Sequence, residues 1–266
     1  MKDMKYKIAE DARPQLTLLL IATVITIALW FIPYADYLVY PIRLFVTFIH
    51  EGSHVLAALL TGASVQSLTV SADGSGMVQS LSGSMLSILL TSSAGYLGTT
   101  AFGVLLLVAI RRAFSARIVL AVCAGFVGLM TILFGFFAPL FNVFSADISF
   151  GGVAFTVVSG AVLTAGLLAL ARYAPAKWAN FGLAFLAVQC VLNALSDLKT
   201  VFFINSPFAA SHMHSDAANM AQATGLPAIA WVLIWIAISV VMISIGLRVY
   251  VSSQKGKQYD LPFEDK

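Results

Sequence analysis

The sequence predicts an all-α polytopic membrane protein with about six to seven transmembrane helices and one short β-hairpin. Of its 266 residues, 60% are hydrophobic and only 10% are charged, whereas a water-soluble domain carries about 25% charged residues. Apolar runs of roughly the 20 residues needed to cross a bilayer recur along the chain. One further segment alternates polar and apolar residues with the period of a strand.

The predicted spans form a single integral-membrane domain over residues 1–251, followed by a polar tail at 252–266. In order, they are Leu16–Ile32, Ile42–Thr61, Ser84–Ile110, Ile118–Leu140, Gly151–Ala171, Trp178–Phe203 and Ala228–Val249. The second is open to an alternative, partly re-entrant path. The charged residues before the first span lead into an apolar run without a small-residue cleavage site, so we expect that run to be retained.

The second span contains His50-Glu51-Gly52-Ser53-His54, which has the pattern H-E-x-x-H. Positions i and i+4 share one face of a helix, so both imidazoles can reach one metal ion. Glu51 stands beside the first ligand and can reach a water on that metal as general base, as in zinc hydrolases. Because His and Glu are costly in lipid, a chance occurrence of this pattern in a membrane helix is disfavoured.

A β-hairpin is predicted over about residues 64–80, directly after this helix. Ser64–Val70 alternates with period two, and an Asp73-Gly74 turn separates it from a second short strand. The hairpin is either a solvent loop or an exposed edge strand that holds an unfolded peptide by strand addition. In the second interpretation, Val65, Ser67 and Val70 contact the substrate.

A third protein ligand is expected for a catalytic zinc. We favour Asp197, because it lies within a predicted apolar span, where a carboxylate must be paired, solvated or bound to metal. Asn193 lies four residues earlier on the same face and is a candidate for a hydrogen bond to the ligand or the substrate. The alternative is the polar cluster from Ser211 to Asp216, which includes His212 and His214. That cluster can instead be a solvated loop with Asp216 near a helix start.

The stretch Phe48–Gly62 and the hairpin after it resemble the site-2 protease family of intramembrane zinc metallopeptidases, in its compact bacterial branch without a PDZ domain. Ser93–Gly98 resembles the small-residue start of that family's next helix. Asn193–Asp197 resembles the distal segment that supplies the aspartate ligand, although Leu198 stands where the family has glycine. The resemblance implies one Zn²⁺ ion, membrane-protein substrates with a transmembrane segment and a bacterial inner membrane.

Two other functions stay open at this point. One is a catalytically inactive metal-binding membrane protein that binds or chaperones membrane segments, and the other is a small ion or proton transporter. The chain lacks a basic cluster large enough to follow a phosphate backbone, so no nucleic-acid partner is expected. Basic connectors at Arg111–Arg117 and Arg172–Lys177 favour a cytoplasmic C-terminus by the positive-inside rule.

Overall fold

The computed structural model describes residues 13–29, 31–32, 34–81, 84–144, 148–205 and 215–251. Its elements are α1 (Arg13–Leu29), α2 (Ala35–Leu60), β1 (Ser64–Val70), β2 (Gly76–Leu81), α3 (Met85–Arg111), α4 (Ala116–Met130), a π-helical segment (Thr131–Phe137), α5 (Ala138–Phe141), α6 (Phe150–Tyr173), α7 (Ala176–Ile204), α8 (Asp216–Thr224) and α9 (Ala228–Val251). The predicted mostly helical membrane architecture with a short hairpin is therefore confirmed.

Six of the helical stretches are long and apolar enough to cross a bilayer, among the residues that the structure describes. They are α2, α3, α6, α7, α9 and the continuous run from α4 through the π-helical segment to α5. The helix at the first predicted span, Leu16–Ile32, ends earlier than expected, since the last residue of α1 is Leu29. Large apolar side chains on the outer faces of these helices are exposed, as suits a surface that faces lipid.

Helix α3 lies at the centre of the bundle and packs against α2, α7 and α9. Small residues on α3 allow this close approach. A β carbon on Gly103 would lie 2.9 Å from the Val191 side chain of α7, and Gly98 directly faces Ser53 of α2. Close helix approach through small residues is the usual way in which membrane helices pack. This packing brings the H-E-x-x-H face of α2 against α3.

The β-hairpin folds back along α2 instead of leaving the bundle. β1 and β2 pair antiparallel with a bulge between Val65 and Ser67. The Tyr40 hydroxyl donates to the carbonyl oxygen of Ala72 (2.6 Å), and the Thr47 hydroxyl donates to that of Gly74 (2.8 Å). Gly74 has a φ of 84°, which the tight turn requires and which glycine adopts readily. The hairpin thus passes alongside the histidines of α2.

The two strands have different neighbours. β1 packs against α2, α6 and the π-helical segment, and both Leu68 and Val70 are fully buried. The backbone N–H of Val70 donates to the Thr156 hydroxyl of α6 (2.7 Å). Neither strand has a further strand partner among the described residues. Because the neighbouring helices cover β1, whereas no residue of β2 is fully buried, the more exposed edge of the hairpin is that of β2.

Candidate metal centre

Helix α2 presents His50 and His54 on one face, with ring centroids 4.8 Å apart. The Nδ1 atom of His54 lies 2.7 Å from the backbone carbonyl oxygen of Thr91 in α3. Because a carbonyl oxygen only accepts, Nδ1 carries a proton, and this hydrogen bond orients the ring so that Nε2 faces the site. A backbone carbonyl bonded to the second ring nitrogen is a common support for a histidine that binds metal.

Asp216 supplies a carboxylate to the same place. It is the first residue of α8, whose N-cap, Ser215, accepts a hydrogen bond from the backbone N–H of Ala218 (3.3 Å). The Asp216 Oδ2 atom lies 3.4 Å from Nε2 of His54 and 3.8 Å from Nε2 of His50. Burial acts to raise the pKa of Asp216, but the two imidazoles outweigh this effect and hold that pKa below its ordinary value.

The three side chains fit one metal ion. Their ligand atoms lie within 4.8 Å of one another. Bonds of about 2.0–2.2 Å in a tetrahedral site separate ligand atoms by about 3.3–3.6 Å, close to the distances from Asp216 to the imidazoles. A β carbon on Gly95 of α3 would overlap the Nε2 atoms of both histidines. Glycine at this position thus leaves space beside the two Nε2 atoms, where a metal would bind.

Glu51 lies next to this group and is buried, with 5% of its surface exposed. A β carbon on Gly76 of β2 would lie 2.5 Å from Oε1 of Glu51. The glycine at the start of β2 therefore allows the strand to pack directly against this carboxylate. Any larger residue at position 76 would push the Glu51 side chain away.

A cavity of about 1390 Å³ contains these groups, which exceeds the roughly 300–1,000 Å³ of a typical small-molecule pocket. Its walls come from α2, the hairpin, α3, α7 and α8. From β2 it is lined by Gly76 to Ser80, and from α8 by Asp216, Asn219 and Gln222. The cavity is therefore large enough for an extended segment of polypeptide and holds many polar groups.

The sequence favoured Asp197 as the third ligand, but the geometry favours Asp216 from the alternative cluster. Asp197 lines the same cavity from α7, yet it is outside the ligand group found among the described residues. The difference arises because α8 packs against α3 and α9, which brings its first turn over the histidines. The Asn193 amide lines the cavity and donates to the Gln189 carbonyl oxygen (2.9 Å) within α7.

The residues expected to contact substrate also lie differently from the sequence-based prediction. Ser67 and Val70 are buried in β1, and neither they nor Val65 line the cavity. Five residues of β2 line the cavity instead, and from β1 Gln66 also does so. The alternation of Ser64–Val70 correctly predicts a strand, but it does not show which strand of the pair faces the cavity. Gly76, directly after the turn, was the available signal, because glycine in a strand marks a close approach.

Other parts of the site were not apparent from the sequence. The Thr91 carbonyl and Gly95 act through the backbone of α3, and only the small-residue pattern near Gly95 hinted at them. Helix α8 was expected only as a helix start near Asp216, although Ser215 and Gly225 are good capping residues for its two ends. His212 and His214 lie outside the residues that the structure describes, as does the tail at 252–266.

The family model of the Peptidase M50B-like proteins matches residues 20–246 of this chain. The chain belongs to the Peptidase M50B-like family. The match runs from within α1 to within α9, so it includes the H-E-x-x-H helix, the hairpin and α8. Searches of curated proteins and of solved structures give no significant match.

Membership in the M50B-like family confirms the predicted relationship to site-2 proteases. With its six candidate spans, the chain is an integral membrane protein of a metallopeptidase family. Among the residues that the structure describes, His50, His54 and Asp216 form a group that could hold a metal ion.

Proposed function

We propose that this protein is a zinc-dependent intramembrane endopeptidase that hydrolyses peptide bonds of membrane-embedded proteins. One observation carries the proposal: His50, His54 and Asp216 converge in a cavity inside the helix bundle, with the Glu51 carboxylate beside them. Ionisable groups in a membrane bundle are costly unless they serve a purpose. Four of them grouped at one place in the cavity indicate a functional site.

His50, His54 and Asp216 would hold the metal. Two imidazoles and one carboxylate form a donor set typical of zinc hydrolases, which keep one further position open for water or substrate. When bound, zinc supplies Lewis acidity that lowers the pKa of water and polarises a carbonyl group. Asp197 lines the same cavity and is the competing candidate for the carboxylate ligand.

Glu51 is the proposed general base. Its carboxylate lies in the cavity and borders Gly76 of β2. A base in this position accepts a proton from the attacking water and returns it to the leaving amine, which balances the hydrolysis. The exclusion of bulk water around a buried carboxylate also strengthens its interactions with the reacting groups.

The substrate would be bound in an extended form along the outer edge of β2, on the side away from β1. A transmembrane helix hides its peptide bonds in internal hydrogen bonds, so it must unwind locally before hydrolysis. The unwound backbone groups then need partners that lipid does not offer. The edge of β2 supplies such partners by strand addition, and it passes directly beside Glu51. This arrangement replaces the role that the sequence suggested for Val65, Ser67 and Val70.

The cellular placement follows from the sequence alone. The resemblance to the compact bacterial branch suggests a bacterial inner membrane as the location. The basic connectors around Arg111–Arg117 and Arg172–Lys177 favour a cytoplasmic C-terminus. The transmembrane segments of other membrane proteins are the substrates that such a protease would meet.

The test uses the purified full-length protein in detergent, with its zinc content measured alongside cleavage of a panel of single-span membrane proteins. The wild type should contain zinc and cleave at least one panel member. Glu51→Gln should retain zinc and lose cleavage by a factor of at least about 10². His54→Ala should lose both zinc and cleavage.

The pattern of results also separates the alternatives. A wild type that binds zinc but cleaves nothing, even at high substrate concentration, supports the non-catalytic metal-binding function. A wild type that contains no zinc and binds none on addition rules out both metal-based functions and leaves the transporter. Normal cleavage by Glu51→Gln would refute the role given to Glu51.

A further inference from the structure

Tyr96 of α3 is held against the metal site by aromatic contacts. Its ring meets the His50 ring edge-on, with centroids 4.8 Å apart, and stacks on the Trp235 ring of α9 at 5.1 Å. The Trp235 indole N–H donates to the Ser93 hydroxyl (3.0 Å), which fixes the stack from the other side. With 8% of its surface exposed, Tyr96 has little freedom to move. Its phenol is therefore a rigid group next to a metal ligand.

The Tyr96 hydroxyl is available for a ligand. Tyr96 lines the cavity, and its hydroxyl forms no hydrogen bond with any residue that the structure describes. Buried tyrosine hydroxyls usually find a partner. A phenol that is held rigidly, is open to the cavity and has no protein partner is well placed to donate to a molecule that enters the cavity.

The surroundings of this phenol indicate which group of that molecule would accept the hydrogen bond. The Tyr96 ring contacts the imidazole of His50, and Tyr96 lines the same cavity as Glu51 and Asp216, so this phenol borders the space that holds both the metal group and the general base. Hydrolysis of a peptide bond develops negative charge on the former carbonyl oxygen. A donor fixed in advance near that oxygen stabilises the transition state more than the ground state.

We propose that Tyr96 is a further catalytic residue, whose hydroxyl donates a hydrogen bond to the oxygen of the scissile carbonyl as it becomes an oxyanion. The inference rests on the proposed endopeptidase function and adds a role that no part of the H-E-x-x-H motif supplies. The proton stays on the tyrosine throughout, so no further acid or base is required. The ligand class that this donor recognises is a peptide carbonyl or a tetrahedral anion that mimics its transition state.

Tyr96→Phe is the decisive variant, because it keeps the ring contacts with His50 and Trp235 and removes only the hydroxyl. We expect kcat for a cleaved panel substrate to fall by about 10²–10³-fold, as for the loss of one oxyanion donor, while KM and zinc content stay near wild type. Tyr173→Phe, at an exposed site near the end of α6, is the matched control and should be unchanged. A kcat for Tyr96→Phe within threefold of wild type would show that Tyr96 only packs.

A binding measurement separates this inference from the proposed function. The probe is a leucine-rich phosphinic peptide, in which a –PO₂⁻–CH₂– unit replaces one peptide bond. Binding of the corresponding amide peptide is measured in the Glu51→Gln background, where the peptide is not cleaved. Tyr96→Phe should weaken binding of the phosphinic peptide at least tenfold and that of the amide much less. If the wild type cleaves nothing but this selective loss is seen, Tyr96 stands as an oxyanion-binding residue and the protease proposal fails. A wild type that neither cleaves nor binds the phosphinic peptide overturns both.

Discussion

Gly95 of α3 lies directly against the imidazole of His50 in α2, so that a β carbon on residue 95 would overlap the ring's Nε2 atom. The same β carbon would also overlap Nε2 of His54. The backbone of α3 thus forms one wall of the candidate metal site, directly beside the two Nε2 atoms. Through this contact, the packing of two membrane helices determines whether the site has room for an ion.

Replacement of Gly95 by alanine should therefore weaken zinc binding. We expect an affinity loss of about 10–100-fold, the range seen when groups that support metal ligands are changed, because the imidazoles must turn or α3 must move. Zinc titration of the purified variant measures the effect. Gly166→Ala in α6, where a β carbon meets nothing within 4 Å, is the control. Equal zinc affinity in the two variants would contradict the proposed position of the ion.

The choice between Asp216 and Asp197 as third ligand can be tested by matched amide substitutions. Asp216→Asn should lower zinc affinity by at least about 100-fold, beyond the usual effect of an outer-sphere change. Asp197→Asn should leave zinc binding near that of the wild type, because its carboxylate lies outside the ligand group. Metal content after dialysis against a weak chelator provides the measurement. If only Asp197→Asn loses zinc, the prediction from the sequence is correct and Asp216 has another role.

Gly76→Ala should reduce turnover without removing the metal. The added methyl group would lie 2.5 Å from Oε1 of Glu51, and its three nearest neighbours are all atoms of Glu51, so the carboxylate must shift. Misplacement of a catalytic group by about 1 Å can cost about 10² in rate. Steady-state cleavage and zinc content, measured on the same preparation, check both parts. Zinc loss in this variant would mean that β2 supports the ligands as well as the base.

Thr156→Val should destabilise the protein by about 1–3 kcal/mol, the cost of leaving a buried backbone donor without a partner. The Thr156 hydroxyl accepts from the Val70 N–H (2.7 Å) and so ties β1 to α6. Thr164→Val on the same helix is the matched control. Its hydroxyl is buried and has no hydrogen-bond partner among the described residues, so valine there should be neutral or stabilising. Thermal unfolding in detergent compares the two, and equal shifts would argue against an anchoring role for Thr156.

The H-E-x-x-H helix and the hairpin could be predicted because their signals are local. The i, i+4 spacing of His50 and His54 places both rings on one face of any helix. The alternation in Ser64–Val70, followed by Asp73-Gly74, predicts a hairpin regardless of where the segment packs in the fold. Apolar runs of bilayer length likewise predict most of the spans without knowledge of their neighbours.

Tertiary structure alone determines which carboxylate lies beside the two imidazoles and which strand contributes most of the hairpin residues that line the cavity. Asp197 and Asp216 both follow His54 by well over a hundred positions in the chain. Their spacing in the sequence therefore does not predict which of them lies near His54 in the folded protein. The packing of α8 against α3 and α9 brings Asp216 to the imidazoles, while α6 covers β1 and leaves the edge of β2 to the cavity. Periodicity in a sequence determines the face of a single element, whereas convergence of distant side chains depends on how whole helices pack.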